Sequence, residues 1–224
     1  MRRALRENAL GLVFGLLFLA VLAGQALSGH AAYDAAQVTD GLAPVSLGRY
    51  VTSSSFAVDV AENWQSEYLQ FLLFIVGTVW LLQRGSPESK ELDKAGLESD
   101  EDQKVGRFAD DDSPAAARRG GWVTTLYSNS LGIVMGLIFV GSWGAQSFAG
   151  QVAFNEERLA QLQAPVSWAG YVTSAEFWNR TLQNWQSELL AVGSMAVLSI
   201  YLRQRGSPES KPVGQAHDST GVEG

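Results

Sequence analysis

Residues 8–90 of this chain align with residues 129–211 at a constant offset of 121, without a gap. About 35 of the 83 paired positions are identical, too many for a gapless match to arise by chance, so the chain is a tandem duplication. Ala43-Pro44-Val45-Ser46 returns as Ala164-Pro165-Val166-Ser167, and Tyr50-Val51-Thr52-Ser53 as Tyr171-Val172-Thr173-Ser174. The NWQSE of residues 63–67 returns at 184–188, and the RGSPESK of 84–90 returns unchanged at 205–211. Any fold must therefore use one unit twice, as 1–90 and 129–211, with 91–128 and 212–224 left between and after them.

Each unit holds two apolar segments. Residues 9–28 carry no charge, and 131–150 repeat the pattern. Both match the ~20 apolar residues a helix needs to cross a bilayer. Residues 68–82 and 189–202 are shorter and reach that length only with the NWQSE segment before them. The mean hydropathy of +0.02 hides this pattern, because the charges are packed between the apolar runs. The expected fold is all-α: a bundle of four transmembrane helices, made of two parallel two-helix repeats with a pseudo-twofold axis along the membrane normal. A cleaved signal peptide is the competing reading of the first segment, with Arg2, Arg3 and Arg6 before it and Ala26-Leu27-Ser28 as a cleavage site. The mid-chain copy at 131–150, which cannot be a signal, argues against it.

Of the 16 Lys and Arg, only Arg49, Arg158 and Arg180 fall on one side of such a bundle. The rest mark the cytoplasmic side, which holds both termini. The acidic linker 91–128 and the tail 212–224 are expected to be disordered on composition. In the outer loops, residues 152–163 read as a short amphipathic helix, with a weaker counterpart at 31–42. Ser53 is the expected cap of the second segment, and Thr173 with Glu176 has capping-box spacing before the fourth.

Several patterns mark candidate sites. Gly11 and Gly15, copied as Gly132 and Gly136, are GxxxG pairs that let helix backbones approach closely. They predict packing of the first segment on the third, or else a homodimer face. Asn63, Ser66, Glu67, Gln70 and Thr78 share one helical stripe, as do Asn184, Ser187, Glu188 and Ser199. Gln25 and Glu67 lie ~22 Å above the inner boundary by helical rise, and Gln146 and Glu188 inherit that depth. Gln25, Asn63, Glu67, Gln146, Asn184 and Glu188 thus form a candidate intramembrane polar site, either a hydrogen-bonded lock or a protonatable or cation-binding pair. Trp64 and Trp185 read as interface anchors. Gly85 and Gly206, each followed by a proline, suit a helix stop. A stop alone does not require seven identical residues where the apolar helices have diverged. Arg84, Ser86, Glu88 and Lys90, with Arg205, Ser207, Glu209 and Lys211, are therefore candidates for contact with a partner or with lipid headgroups.

The chain has no Cys and two His, so thiolate and imidazole chemistry are poorly provided for. Its net charge of −7 argues against nucleic acid. No nucleophile stands beside a base and no metal motif is present, so no catalytic residue, cofactor or metal is expected. The expected partners are the lipid bilayer and a protein, either a different one or a second copy.

The duplicated NWQSE and RGSPESK, each flanking an apolar segment, resemble a family of uncharacterised bacterial multipass membrane proteins, mainly actinobacterial and of unknown function. The resemblance implies the bacterial plasma membrane and brings no activity. The leading functional expectation is a non-catalytic scaffold or accessory subunit of a membrane complex. The alternative is a small transporter or channel using Glu67 and Glu188.

Overall fold

The computed structural model describes residues 2–222, which are helical and contain no strand. The elements are α1 (Arg2–Glu7), α2 (Ala9–Thr39), α3 (Leu47–Val51), α4 (Ser54–Gly77), α5 (Ala115–Arg118), α6 (Gly121–Ser128), α7 (Ser130–Ala160), α8 (Trp168–Val172) and α9 (Ala175–Tyr201). A single 3₁₀ turn covers Gly106–Phe108. The order long helix, short helix, long helix occurs twice, as α2-α3-α4 and α7-α8-α9.

Two helices, α2 and α7, are long and apolar enough to cross a membrane. Each has 31 residues. They outrun the apolar segments because nothing stops them: the first breaker, Pro44 or Pro165, lies beyond their ends. The amphipathic stretches expected as separate outer helices are therefore the last turns of α2 and α7. Both close the same way. Leu42 N–H donates to the Gln37 carbonyl at 2.8 Å, and Gln163 N–H to the Arg158 carbonyl at 2.7 Å. The left-handed residue this requires is Gly41 in the first copy (φ 76°) and Leu162 in the second (φ 59°).

Short helices α3 and α8 were not expected. Ser46 and Ser167 start them, each hydroxyl accepting a backbone N–H three residues on. Ser53 then caps α4 as expected, accepting from Phe56 N–H at 3.3 Å. The cap of α9 is Ser174, not Thr173: it accepts from Phe177 N–H at 3.2 Å, while the Thr173 hydroxyl donates back to the Ala169 carbonyl at 2.8 Å. Helix α4 ends at Gly77, short of the expected residue 82, whereas α9 runs to Tyr201.

The described chain forms two compact units, and the division cuts across the repeats. One unit comprises Met1–Ala61 with Gly144–Phe177, the other Glu62–Trp143 with Trp178–Gly224. In the first unit, Tyr50 and Tyr171 are the buried centres. Tyr50 meets the rings of His30, Tyr33 and Phe56, and Tyr171 those of Phe154 and Phe177. Each tyrosine hydroxyl fills the space where a side chain would stand on Gly29 or Gly150.

The last turns of α2 and α7 also clasp the loop that follows. The Asp34 carboxylate accepts from Val45 N–H at 2.8 Å, and His30 Nε2 lies 2.7 Å from the Val45 carbonyl. In the copy, Asn155 accepts from Val166 N–H at 2.8 Å, and Gln151 donates to the Val166 carbonyl at 3.0 Å. The geometry repeats, with an ionisable pair in one copy and an amide pair in the other.

Candidate functional site

The NWQSE segments sit in the middle of α4 and α9, in the second unit. Their serines repeat one bond: Ser66 donates to the Asn63 carbonyl at 2.9 Å and Ser187 to the Asn184 carbonyl at 2.8 Å. The inward stripe of α4, however, is not the expected one. Gln65 and Ser66 are buried, while Asn63 and Glu67 are exposed. Neighbouring residues on a helix point ~100° apart, so the stripe is turned by about one residue from a face centred on Glu67.

Partners on α9 account for the turn. Trp185 Nε1 donates to Gln65 Oε1 at 2.7 Å. Below Ser54 in α4, Glu62 receives Arg180 twice, from Nε at 2.8 Å and from Nη2 at 3.1 Å, a two-pronged bond that holds both side chains in plane. The rings of Phe139 and Trp143 on α7 close around Trp185 at 6.3 and 5.6 Å, and Trp178 meets Trp143 edge-on at 6.1 Å. Glu188 and Asn184 are half-buried, and Asn184 donates to the Arg180 carbonyl at 3.0 Å. In the first unit Gln146 is fully buried and Gln25 half-buried.

Sequence reasoning missed Gln65, Glu62 and Arg180. Glu62 and Arg180 are invisible to the duplication because their copies are Gln183 and Asp59. Gln65 was visible as one of five repeated residues, but the stripe was centred on the charge.

The glycine pairs behave differently in the two copies. A Cβ at Gly132 or Gly136 would meet Val76 or Leu72 of α4 at 3.7 and 3.8 Å, so this face of α7 is filled by α4. No described atom comes within 4 Å of a Cβ placed at Gly11 or Gly15. The small residues of α7 thus serve packing on the neighbouring helix of the same unit, where apolar side chains fill the notch.

Each RGSPESK is a folded turn beyond the end of its helix, not the stop itself: α4 already ends at Gly77 and α9 at Tyr201. Gly85 and Gly206 take positive φ (84° and 80°). Ser89 accepts from Gln83 N–H and Ser210 from Gln204 N–H, both at 2.9 Å. Ser86 accepts from Glu88 N–H at 3.3 Å and Ser207 from Glu209 N–H at 3.2 Å. Local backbone satisfaction therefore accounts for both serines and the glycine of the motif.

The lysines differ. Lys90, half-buried, donates to the Gly96 carbonyl at 3.0 Å and pairs with Glu98 at 2.9 Å. Lys211 is buried, and its ammonium donates to the carbonyls of Gly85 (2.6 Å), His217 (2.8 Å), Ala216 (3.2 Å) and Ser219 (3.2 Å). Burial, and secondarily Arg203, lower its pKa from the ordinary lysine value. The tail, unstructured by composition, runs back over the first RGSPESK: Gly85 N–H donates to Thr220 Oγ1 at 2.8 Å and Gly221 N–H to the Ser86 carbonyl at 3.1 Å. Gly85, Ser86 and Ser89 are buried, whereas Arg84, Arg205 and Glu209 stay exposed.

Beyond the Trp185 and Arg180 contacts, toward the C-terminal ends of the helices, α4 and α9 part into a groove of about 260 Å³ that ends at the first RGSPESK. Its walls are mainly aliphatic, and Glu88 lies at its foot. Burial, with Glu209 nearby, raises the Glu88 carboxyl above the ordinary range. Among the described residues, no group of three or more His, Asp or Glu could hold a metal ion.

A family model described as a domain of unknown function, DUF6766, matches residues 1–222. No curated protein and no solved structure matches the chain.

Proposed function

For a chain that belongs to the DUF6766 family, we propose a four-span membrane protein of the bacterial plasma membrane. It acts as a non-catalytic scaffold or accessory subunit. Helices α4 and α9 are its second and fourth spans, and both termini are cytoplasmic. The observation that carries this reading is the exposed face of α4. Glu67, Asn63 and Phe71 lie on it at intervals of one turn, and a carboxyl facing lipid is costly. A protein partner in the membrane removes that cost by covering the face. The rigid joints on the opposite side support a static role: the Trp185–Gln65 and Arg180–Glu62 bonds tie α4 to α9, and any path opened between them must break both.

The test replaces Phe71 by the photoreactive benzoylphenylalanine, which keeps the shape of the aromatic ring and leaves Glu67 in place. Irradiation of cells should give one defined protein–protein adduct, absent when the probe replaces Leu19 on α2. Adducts with lipid alone at position 71 would remove the partner reading. The rival reading, a transporter or channel using Glu67 and Glu188, predicts a proton or cation flux in proteoliposomes that Glu67→Gln and Glu188→Gln abolish.

A further inference from the structure

The inner groove between α4 and α9 is a ligand site, and we infer that it takes a free, single-chain amphipathic amine, with the chain between the helices and the ammonium at Glu88. The walls set the first requirement. Leu73 and Phe74 of α4 face Leu189 and Val192 of α9 across the groove, a surface that an alkyl chain fills and a polar solute does not. Size sets the second. A space of about 260 Å³ lies below the roughly 300–1,000 Å³ of drug-sized pockets, so one chain fits and a two-chain lipid does not.

The polar end sets the third. Two hydroxyl protons there are already committed: Thr78 donates to the Phe74 carbonyl at 2.7 Å and Ser89 to the Lys90 carbonyl at 3.0 Å. The charged group that lines this end is an acceptor. Gln70 Oε1 is buried with no hydrogen-bond partner. Glu88 is half-buried with Glu209 as its charged neighbour, and no cation among the described residues pairs with it. A carboxyl without a counter-charge at the foot of an aliphatic groove, with a second acidic group near it, is complementary to an ammonium on an alkyl chain. The site is independent of whichever protein covers Glu67.

The test uses the full-length protein in phosphatidylcholine nanodiscs, titrated calorimetrically with n-octylammonium and with empty discs subtracted. Octylammonium should bind saturably with one site per chain, and octanol or octanoate should not. Glu88→Gln should weaken binding about tenfold, the loss of one charge contact. Ala196→Leu, which fills the groove and leaves Glu88 intact, should weaken it at least as much. Binding should fall as pH drops through the raised Glu88 titration, since protonation removes the counter-charge. Saturable binding that survives both variants overturns the assignment, as does binding no stronger than that of empty discs. Displacement of octylammonium by phosphatidylethanolamine in mixed-lipid discs overturns the free amine in favour of a bilayer lipid.

Discussion

At Gly29 and Gly150 the long helices carry no side chain because a buried tyrosine occupies the space one would need. Tyr50 and Tyr171 cannot swing away, being wedged among aromatic rings. Gly29→Ala and Gly150→Ala should each destabilise the protein by ~1–3 kcal/mol, the usual cost of overpacking, read as a lower Tm in detergent. Gly24→Ala and Gly144→Ala, which meet no described atom within 4 Å, should be neutral or slightly stabilising. Tyr171→Phe in the Gly150→Ala background should recover part of the loss, because it deletes the clashing hydroxyl. The tyrosines stood out in the sequence as repeated residues, but their contact with the glycines did not, since nothing local links a helical glycine to a tyrosine beyond the next loop. A second residue-scale expectation concerns Glu88. Its folded pKa is raised by burial and by Glu209, so its contribution to stability is fully present below the unfolded value and is lost as pH rises through the folded one. At neutral pH, Glu88→Gln should therefore be more stable than wild type, with the difference closing as pH falls through the raised value. A variant that is more stable yet binds octylammonium more weakly separates ligand loss from misfolding.

At the scale of elements, periodicity was the reliable guide to where helices run, and chemistry decided which side they turn. The apolar segments predicted α2 and α7, and their ends ran on to the first proline-containing loops. The side that α4 buries followed from Trp185, whose indole N–H finds its acceptor at Gln65, a partner that no spacing argument within α4 could supply. Trp185→Phe should cost ~1–3 kcal/mol, because it strands a buried carbonyl oxygen at Gln65. Gln65→Leu with Trp185→Phe removes donor and acceptor together and should be closer to wild type than Trp185→Phe alone. A double-mutant cycle in thermal unfolding reads the coupling, and strictly additive losses would show that the bond contributes nothing. The same reasoning covers RGSPESK. The motif was read as a helix stop, but both helices end before it, and its serines and glycine instead fold the turn that follows. The burial of Lys211 was not legible, because it depends on a tail whose composition reads as disordered.

For the whole molecule, a two-span and a four-span arrangement differ in a measurable way. Helices α2 and α7 pass the length and hydropathy requirement by themselves. Helices α4 and α9 carry Glu62, Glu67, Arg180 and Glu188, which would need partners for these helices to enter a bilayer. With two spans and a cytoplasmic N-terminus, Asp40 and Glu101 are outside and Gln161 is inside. With four spans, Asp40 and Gln161 are outside and Glu101 is inside. Gln161 and Asp40 are equivalent residues of the two copies, so only the four-span arrangement places them on the same side. The duplication and the positive-inside asymmetry both favour it. The chain has no cysteine, so single cysteines can be introduced at these three exposed positions without changing the background. In intact cells a membrane-impermeant maleimide should label Asp40→Cys and Gln161→Cys, and should label Glu101→Cys only after permeabilisation. Labelling of Glu101→Cys in intact cells, with Gln161→Cys protected, would leave α4 and α9 outside the bilayer core and return Glu67 to water. The case for a partner covering that face would then fall with the topology.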